Sequence, residues 1–341
     1  MARNTLVDKL KGYACFLVLF GHVIMGIRLA GINIPSVFEG VEKFIWSFHV
    51  PLFLFLSGVV YRETGGWKRQ KSKSKFILHK LWTLGIPYVV FSAVYIIINS
   101  AVGQANTQSS FGDILDIWKT PVAQYWFLYA LFFLFVIWTV LSGMLPHWAI
   151  TVAVVLIAYV VPLAGIGFGS LDVVFYSALA FGLGTCVDFS ILTKPAAWVK
   201  WIAVLSHIAV AVVLIYLDLI ERQIVKEIMQ VYGIYASIAL IFLVQKWKPV
   251  SRFLNFMNRY SFQTYLLHTI FTAGIRIILI RLNVTEWWIH IIMGTVCGLF
   301  FSVLASLIAK KLKFLNFFFF PTKTVKILNK KPQEQIKTHA L

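Results

Sequence analysis

The chain has 341 residues, of which 60% are hydrophobic and 13% charged, with a mean hydropathy of +0.82 and a formal charge of +18. A soluble domain carries about 25% charged residues, so a soluble domain of any size is excluded. The apolar runs are continuous rather than alternating, which excludes a barrel. The positive charge sits in short connections between those runs, which fits the positive-inside bias and argues against a nucleic-acid partner.

Runs near 20 apolar residues recur along the chain, each able to cross ~30 Å of hydrocarbon. They predict ten spans, roughly 13–31, 43–61, 81–102, 124–142, 148–166, 172–188, 201–219, 228–245, 261–281 and 288–309. The fold class expected is an all-α, polytopic transmembrane helix bundle. Residues 1–312 form a single transmembrane domain. Residues 313–341 form a basic, aromatic cytoplasmic tail, partly interfacial and partly disordered. With a cytoplasmic N-terminus, the inner connections hold 24 of the 31 Lys and Arg residues. The outer ones hold Lys43, Lys119, Arg222, Lys226 and Arg281, and Arg28 and Arg276 fall within spans. Both termini are therefore expected to be cytoplasmic. Tags at residue 70 and at the C-terminus should be shielded from external protease in intact cells, and one near residue 107 should be cut. External access at residue 70 would overturn this orientation.

The first span, "LVDKLKGYACFLVLFGHVIMGI", places His22 ~14 Å inside the cytoplasmic boundary. An ionisable side chain at that depth is a functional-site hypothesis by default, and the bland alternative is a histidine that bonds across helices for packing alone. The neutral imidazole is the form a general base needs. Lys11 precedes His22 by about three turns, so the two share a face ~16 Å apart along the axis. Lys11 marks the cytoplasmic mouth of a line ending at His22, or it is an ordinary snorkelling lysine. Asp8 lies on much the same face and can pair with it.

Span two carries "FHVPLFLFLSG". His49 lies some six residues inside the outer boundary, and Pro51 frees a backbone carbonyl and allows a kink. Ser57 and Gly58 offer a small surface for close helix approach. If spans one and two pair antiparallel, His22 and His49 lie within a few turns in depth, and two imidazoles near one level favour function over packing. The loop that follows, "RETGGWKRQKSKSKFILHK", has seven Lys and Arg residues, among them Lys68 and Arg69. Topology and anionic headgroups account for it, and so does the landing of a polyanionic cofactor such as coenzyme A.

The outer segment "GQANTQSSFGDILDIWKTPVA" is long enough for a small amphipathic helix. Span four opens "QYWFLYALF", where Tyr125 and Trp126 suit an interfacial aromatic belt. A Gly-rich "LAGIGFGSLD" joins spans five and six. Span nine carries "SFQTYLLHTIF": Tyr265 and His268 face the same way, and Ser261 is placed to cap the helix. Arg276 has no sequence neighbour to neutralise it. It snorkels outward, or it binds an anionic group in a cavity. Cys15, Cys186 and Cys297 fall in apolar runs and read as small buried hydrophobes. The tail "KKLKFLNFFFFPTKTVKILNKKPQEQ" predicts an interfacial helix breaking at Pro321. No signal-peptide cleavage pattern precedes the first apolar run, no internal repeat is visible, and no metal-ligand set is expected.

The segments "VDKLKGYACFLVLFGHV", "FHVPLFLFLSGVVYR", "KLWTLGIPYVVFS", "YWFLYALFF" and "SFQTYLLHTIF" together resemble the membrane acyltransferase-3 family in order and spacing. The resemblance is closest to its small polysaccharide O-acetyltransferases of the fucose-4-O-acetylase kind. It implies an acetyl-CoA co-substrate, no permanently bound cofactor, and a sugar hydroxyl acceptor on a glycan or lipid-linked sugar. It also implies a bacterial cytoplasmic membrane location among membrane lipids. The family's essential first-span histidine maps to His22, and its arginine eleven residues earlier is Lys11 here, which keeps the charge but loses the bidentate fork. Taken together with the reading of the residues, His22 and His49 are the expected catalytic pair, and Lys11, Lys68 and Arg69 are expected to face the donor. Tyr265, His268 and Trp126 face the acceptor or the oxyanion. The rival class is a transporter or flippase of a lipid-linked sugar, which would more often show internal repeats and paired broken helices.

Overall fold

The computed structural model describes residues 4–101 and 110–322. Every regular element among them is helical, and no strand occurs. Nine helical segments of the described residues are long and apolar enough to cross a membrane, and His147–Leu163 is apolar but shorter. All ten predicted spans coincide with these segments. An all-helical solution is forced on such a chain, because hydrocarbon offers backbone N–H and C=O groups no partner.

Helix α1 (Thr5–Leu29) opens on Asn4, whose side chain accepts from the Leu6 and Val7 N–H groups. It is the central strut and packs on α2 (Ser36–Trp46), α3 (His49–Glu63), α11 (Gln223–Val244), α12 (Lys248–Arg259), α13 (Ser261–Arg281) and α14 (Trp287–Lys311). The remaining helices are α4 (Lys73–Lys80), α5 (Ile86–Ala101), α6 (Trp126–Leu141), α7 (His147–Leu163), α8 (Asp172–Tyr176), α9 (Ala178–Cys186), α10 (Ala197–Tyr216) and α15 (Lys313–Phe319).

Helices α3 and α9 approach each other closely through their backbones. A Cβ on Gly58 would lie 2.1 Å from the Phe181 carbonyl oxygen, and one on Gly184 would lie 2.1 Å from that of Phe55. Small residues allow this contact, in which van der Waals packing replaces the hydrophobic drive absent in lipid. The small surface expected at Ser57–Gly58 thus receives α9.

Several local expectations change. The predicted kink at Pro51 is a break one turn earlier. The chain leaves helix at Ser47–Phe48 (Phe48 φ −146°, ψ −15°) and restarts at His49, so Pro51 falls in the first turn of α3, where its missing N–H costs no helical bond. The third span begins at Lys73 rather than 81 and runs through a π turn over Leu81–Gly85, just before Pro87. A proline there cannot bond the preceding turn, and the wider turn absorbs the mismatch. Ser261 does not cap α13; its hydroxyl donates to the Asn258 carbonyl. The connection before α13 is itself the amphipathic α12, with Leu254 and Met257 buried and Phe253 and Phe256 exposed. The outer segment after α5 contains a 3-10 helix, Phe111–Asp116, capped by Ser110; positions 102–109 of that expectation lie outside the described residues. Helix α15 ends at Phe319, just ahead of Pro321. Its Phe319 ring packs on Phe91, so it folds back against the bundle. The disorder expected at the end of the tail falls on residues outside those described.

Candidate active site

A cavity of about 1030 Å³ opens between α1, α3, α5, α6, α8 and α13. On α13 its lining runs from Ser261 to Ile277, and on α1 from Val18 to Leu29. At 1.5 Å per residue those stretches are ~24 and ~16 Å long, so the cavity extends through much of the helical layer. His22, His49, Trp126 and Tyr265 all line it. His268 stands directly behind, its ring centroid 4.9 Å from that of His22 and nearly perpendicular to it.

The three imidazoles are held in the same way. Nδ1 of His22 lies 2.8 Å from the Val18 oxygen, that of His49 2.8 Å from the Ile45 oxygen, and that of His268 2.8 Å from the Thr264 oxygen. A carbonyl only accepts, so each neutral ring carries its proton on Nδ1 and presents Nε2 as a bare acceptor. Nε2 of His49 and Nε2 of His268 are buried with no hydrogen-bond partner. Orphaned buried polar atoms are uncommon and each calls for an explanation, such as a bound group that completes it. The Ser47–Phe48 break matters here, because it lets His49 bond back to Ile45 across the discontinuity.

A second layer holds the ring set from the far side. Arg28 donates to both oxygens of Glu42, Nε to Oε2 at 3.0 Å and Nη2 to Oε1 at 2.9 Å. Glu42 Oε1 also accepts from Trp46 Nε1 at 3.1 Å. The Trp46 ring lies 4.9 Å from His22 and 4.5 Å from His49, centroid to centroid, between the two histidines. Glu42, only 4% exposed, is also close enough to act electrostatically on His22. Neither Glu42 nor Trp46 was a sequence-level candidate. The available hint was a pair of acids, Glu39 and Glu42, at a span edge with an intramembrane arginine on the preceding span.

Opposite, three bonds tie the start of α6 to α13. Tyr265 Oη donates to the Gln124 carbonyl at 2.5 Å, Tyr125 Oη to the Leu266 carbonyl at 2.7 Å, and Gln124 Nε2 to Thr269 Oγ1 at 2.6 Å. Tyr125 is thus a fully buried strap rather than a belt residue, and the Tyr265 proton is already engaged.

The expected donor-facing residues lie outside the lining. Lys68 and Arg69 are exposed on a 3-10 turn, Gly66–Gln70. Lys11 is nearer. Cys15 Sγ lies 3.7 Å from the Ser261 carbonyl oxygen, which puts Cys15 level with the end of the cavity, and Lys11 is one turn, ~6 Å, beyond it. Lys80, missed in the sequence, lies within electrostatic range of Lys11 and rests over the Phe135 ring at 3.6 Å. Among the described residues no group of His, Cys, Asp or Glu has an arrangement that could hold a metal ion.

This architecture defines a polytopic helical membrane protein with a histidine-lined internal cavity. The family model for the acyltransferase domain of the acyltransferase-3 type matches residues 4–308, and the chain belongs to that family. The nodulation protein NolL of Mesorhizobium japonicum is 27% identical over 159 residues, which is 46% of this chain and 41% of NolL. The match therefore spans less than half the length of that relative. No solved structure matches.

Proposed function

We propose that the protein is an integral membrane O-acetyltransferase. It moves an acetyl group from acetyl-CoA to a sugar hydroxyl of a surface polysaccharide or its lipid-linked precursor, in a bacterial cytoplasmic membrane. Membership of an acyltransferase family supports the reaction class. The observation that carries the proposal is the His22 ring, which lines a cavity of about 1030 Å³ and whose Nδ1–H is fixed on Val18, leaving Nε2 as its acceptor. In this reading Nε2 takes the proton of the acceptor hydroxyl as its oxygen attacks the thioester carbonyl. The C–S bond breaks, and the departing thiolate takes the proton from His22. The Glu42 carboxylate, acting on His22 and orienting Trp46, stabilises positive charge as it develops on the ring. Neutral His49 and His268 present acceptors only, and their Nδ1–H groups are engaged. Trp126, whose indole borders the cavity, is the preferred oxyanion donor.

The donor approaches from the end of the cavity near Lys11 and Lys80. Lys11, ~16 Å along the helix from His22, with Lys80 within its electrostatic range, suits an anionic nucleotide joined to a thioester by a long arm. Lys68 and Arg69 add long-range attraction from the exposed turn. The test is transfer of labelled acetyl from acetyl-CoA by purified protein, together with donor affinity in Lys11 variants. Lys11→Glu should raise the acetyl-CoA Kd at least ~10-fold, a loss of ~1.4 kcal/mol. Lys11→Arg should stay near the parent, because the charge remains and a guanidinium binds phosphate well. Raising salt should weaken the parent's affinity. Unchanged affinity in Lys11→Glu would place donor entry elsewhere.

A further inference from the structure

Arg276 is not used by the chemistry above. The residue is buried, at 9% exposure, yet it lines the cavity. None of the ion pairs among the described residues involves it. Asp172 also borders the cavity, but its Oδ1 accepts from the Phe168 N–H at 3.1 Å and it forms no ion pair with Arg276. The electrostatic neighbour of Arg276 is the Tyr95 phenol. A guanidinium out of water without an opposite charge is costly, and chains retain one where a ligand completes it. The outward-snorkelling alternative does not apply, since the side chain is turned into the bundle.

Gly26 leaves room for this group. A Cβ built on Gly26 would lie 2.1 Å from Arg276 Nη1. Any other residue at 26 would push the guanidinium away. Gly26 follows His22 by one turn of α1, so the guanidinium stands ~6 Å beyond the His22 level along the axis. It lies on the side away from Lys11, opposite to the donor end. That offset is too large for a group that must touch the oxyanion formed next to His22 Nε2. It corresponds to the width of about one sugar ring.

We propose that Arg276, seated in the space that Gly26 leaves, binds an anionic group on the acceptor, a carboxylate or phosphate on the sugar that is acetylated or on its immediate neighbour. The acceptor is thus an acidic glycan unit rather than a neutral one. A planar guanidinium suits either anion through paired N–H groups. The inference rests on the acceptor-hydroxyl reading above, and it specifies the acceptor's chemistry.

The test is binding to the purified full chain, which needs no donor and no turnover. Methyl glucuronide, methyl glucoside 6-phosphate and neutral methyl glucoside serve as probes. The parent should bind one or both acids at least ~10-fold more tightly than the neutral glycoside, a difference of ~1.4 kcal/mol. Which acid prefers the site separates carboxylate from phosphate. Arg276→Gln should bind acid and neutral probes alike, Arg276→Lys should keep part of the preference, and Gly26→Ala should reduce it with the charge intact. A parent that binds all three probes equally would overturn the proposal, even if the Arg276 variants fail to fold. So would a folded Arg276→Gln that keeps the preference. If transfer to every acceptor, neutral ones included, falls equally in Arg276→Gln, the arginine serves the oxyanion instead and the proposal fails. A protein that prefers the acids but transfers no acetyl upholds the site while ending the acetyltransferase reading.

Discussion

His22→Ala is expected to lower acetyl transfer by ~10³-fold, within the two to four decades that a general base contributes, while the purified protein stays folded. The expectation rests on geometry. His22 alone of the three histidines lines the cavity without having its Nε2 buried and orphaned. Its contacts with Trp46 and His268 are ring-edge contacts at 4.9 Å, not the filling of a tight space. Glu42→Gln should cause a smaller loss, because the bond from Trp46 survives while the negative charge near His22 is removed. His49→Ala should fall between the two. The measurement is the initial rate with labelled acetyl-CoA, alongside the thermal unfolding midpoint of each variant. A His22→Ala protein with substantial turnover would end this mechanism. One that fails to fold would return the histidine to a packing role.

Gly184→Val is expected to give the largest loss of folded protein of any single change considered. The new side chain would meet the Phe55 carbonyl oxygen at 2.1 Å and the Val59 nitrogen at 2.9 Å. Backbone atoms in a helix cannot step aside as a flexible side chain can, so α3 and α9 must separate. Overpacking of this kind costs roughly 3 kcal/mol or more. Moving α3 would also displace His49, Phe53 and Ser57 from the cavity wall, so activity and stability should fall together. Gly274→Val supplies the contrast: nothing lies within 4 Å of a Cβ there, and its cost should be small. The readout is the monodisperse fraction in detergent and its melting midpoint. Equal behaviour of the two variants would refute the close-approach argument.

The order and approximate positions of the apolar helices were legible in the sequence, ten being predicted where nine described segments are long enough to cross a membrane and His147–Leu163 is shorter, because span length and apolarity are set by the bilayer rather than by tertiary detail. Local texture was less so. The break ahead of His49, the π turn before Pro87 and the amphipathic α12 each depend on what a neighbouring helix accepts, and a hydropathy pattern averages over such features. A kink was expected at Pro51 because a proline is visible in sequence. The actual break lies one turn earlier, where the first-turn position makes the missing N–H harmless.

What the sequence by itself determined was the kind of molecule and its candidate residues: a helical bundle with histidines at positions 22, 49 and 268 and a tyrosine at 265, each within an apolar helix where polar groups are costly. Resemblance in five short motifs sufficed for the family. Only the tertiary structure decided which of these residues share a space. It set Trp46 between His22 and His49, brought His268 against His22, and turned Tyr265 to the Gln124 carbonyl. It also left Lys11, Lys68 and Arg69 outside the cavity and carried Arg276 into it. The physical reason is that depth follows from position along a helix, whereas the facing of a side chain follows from which helices pack together. Those pairings arise from contacts such as Gly58 with Gly184 and Gly26 with Arg276, between residues far apart in the chain.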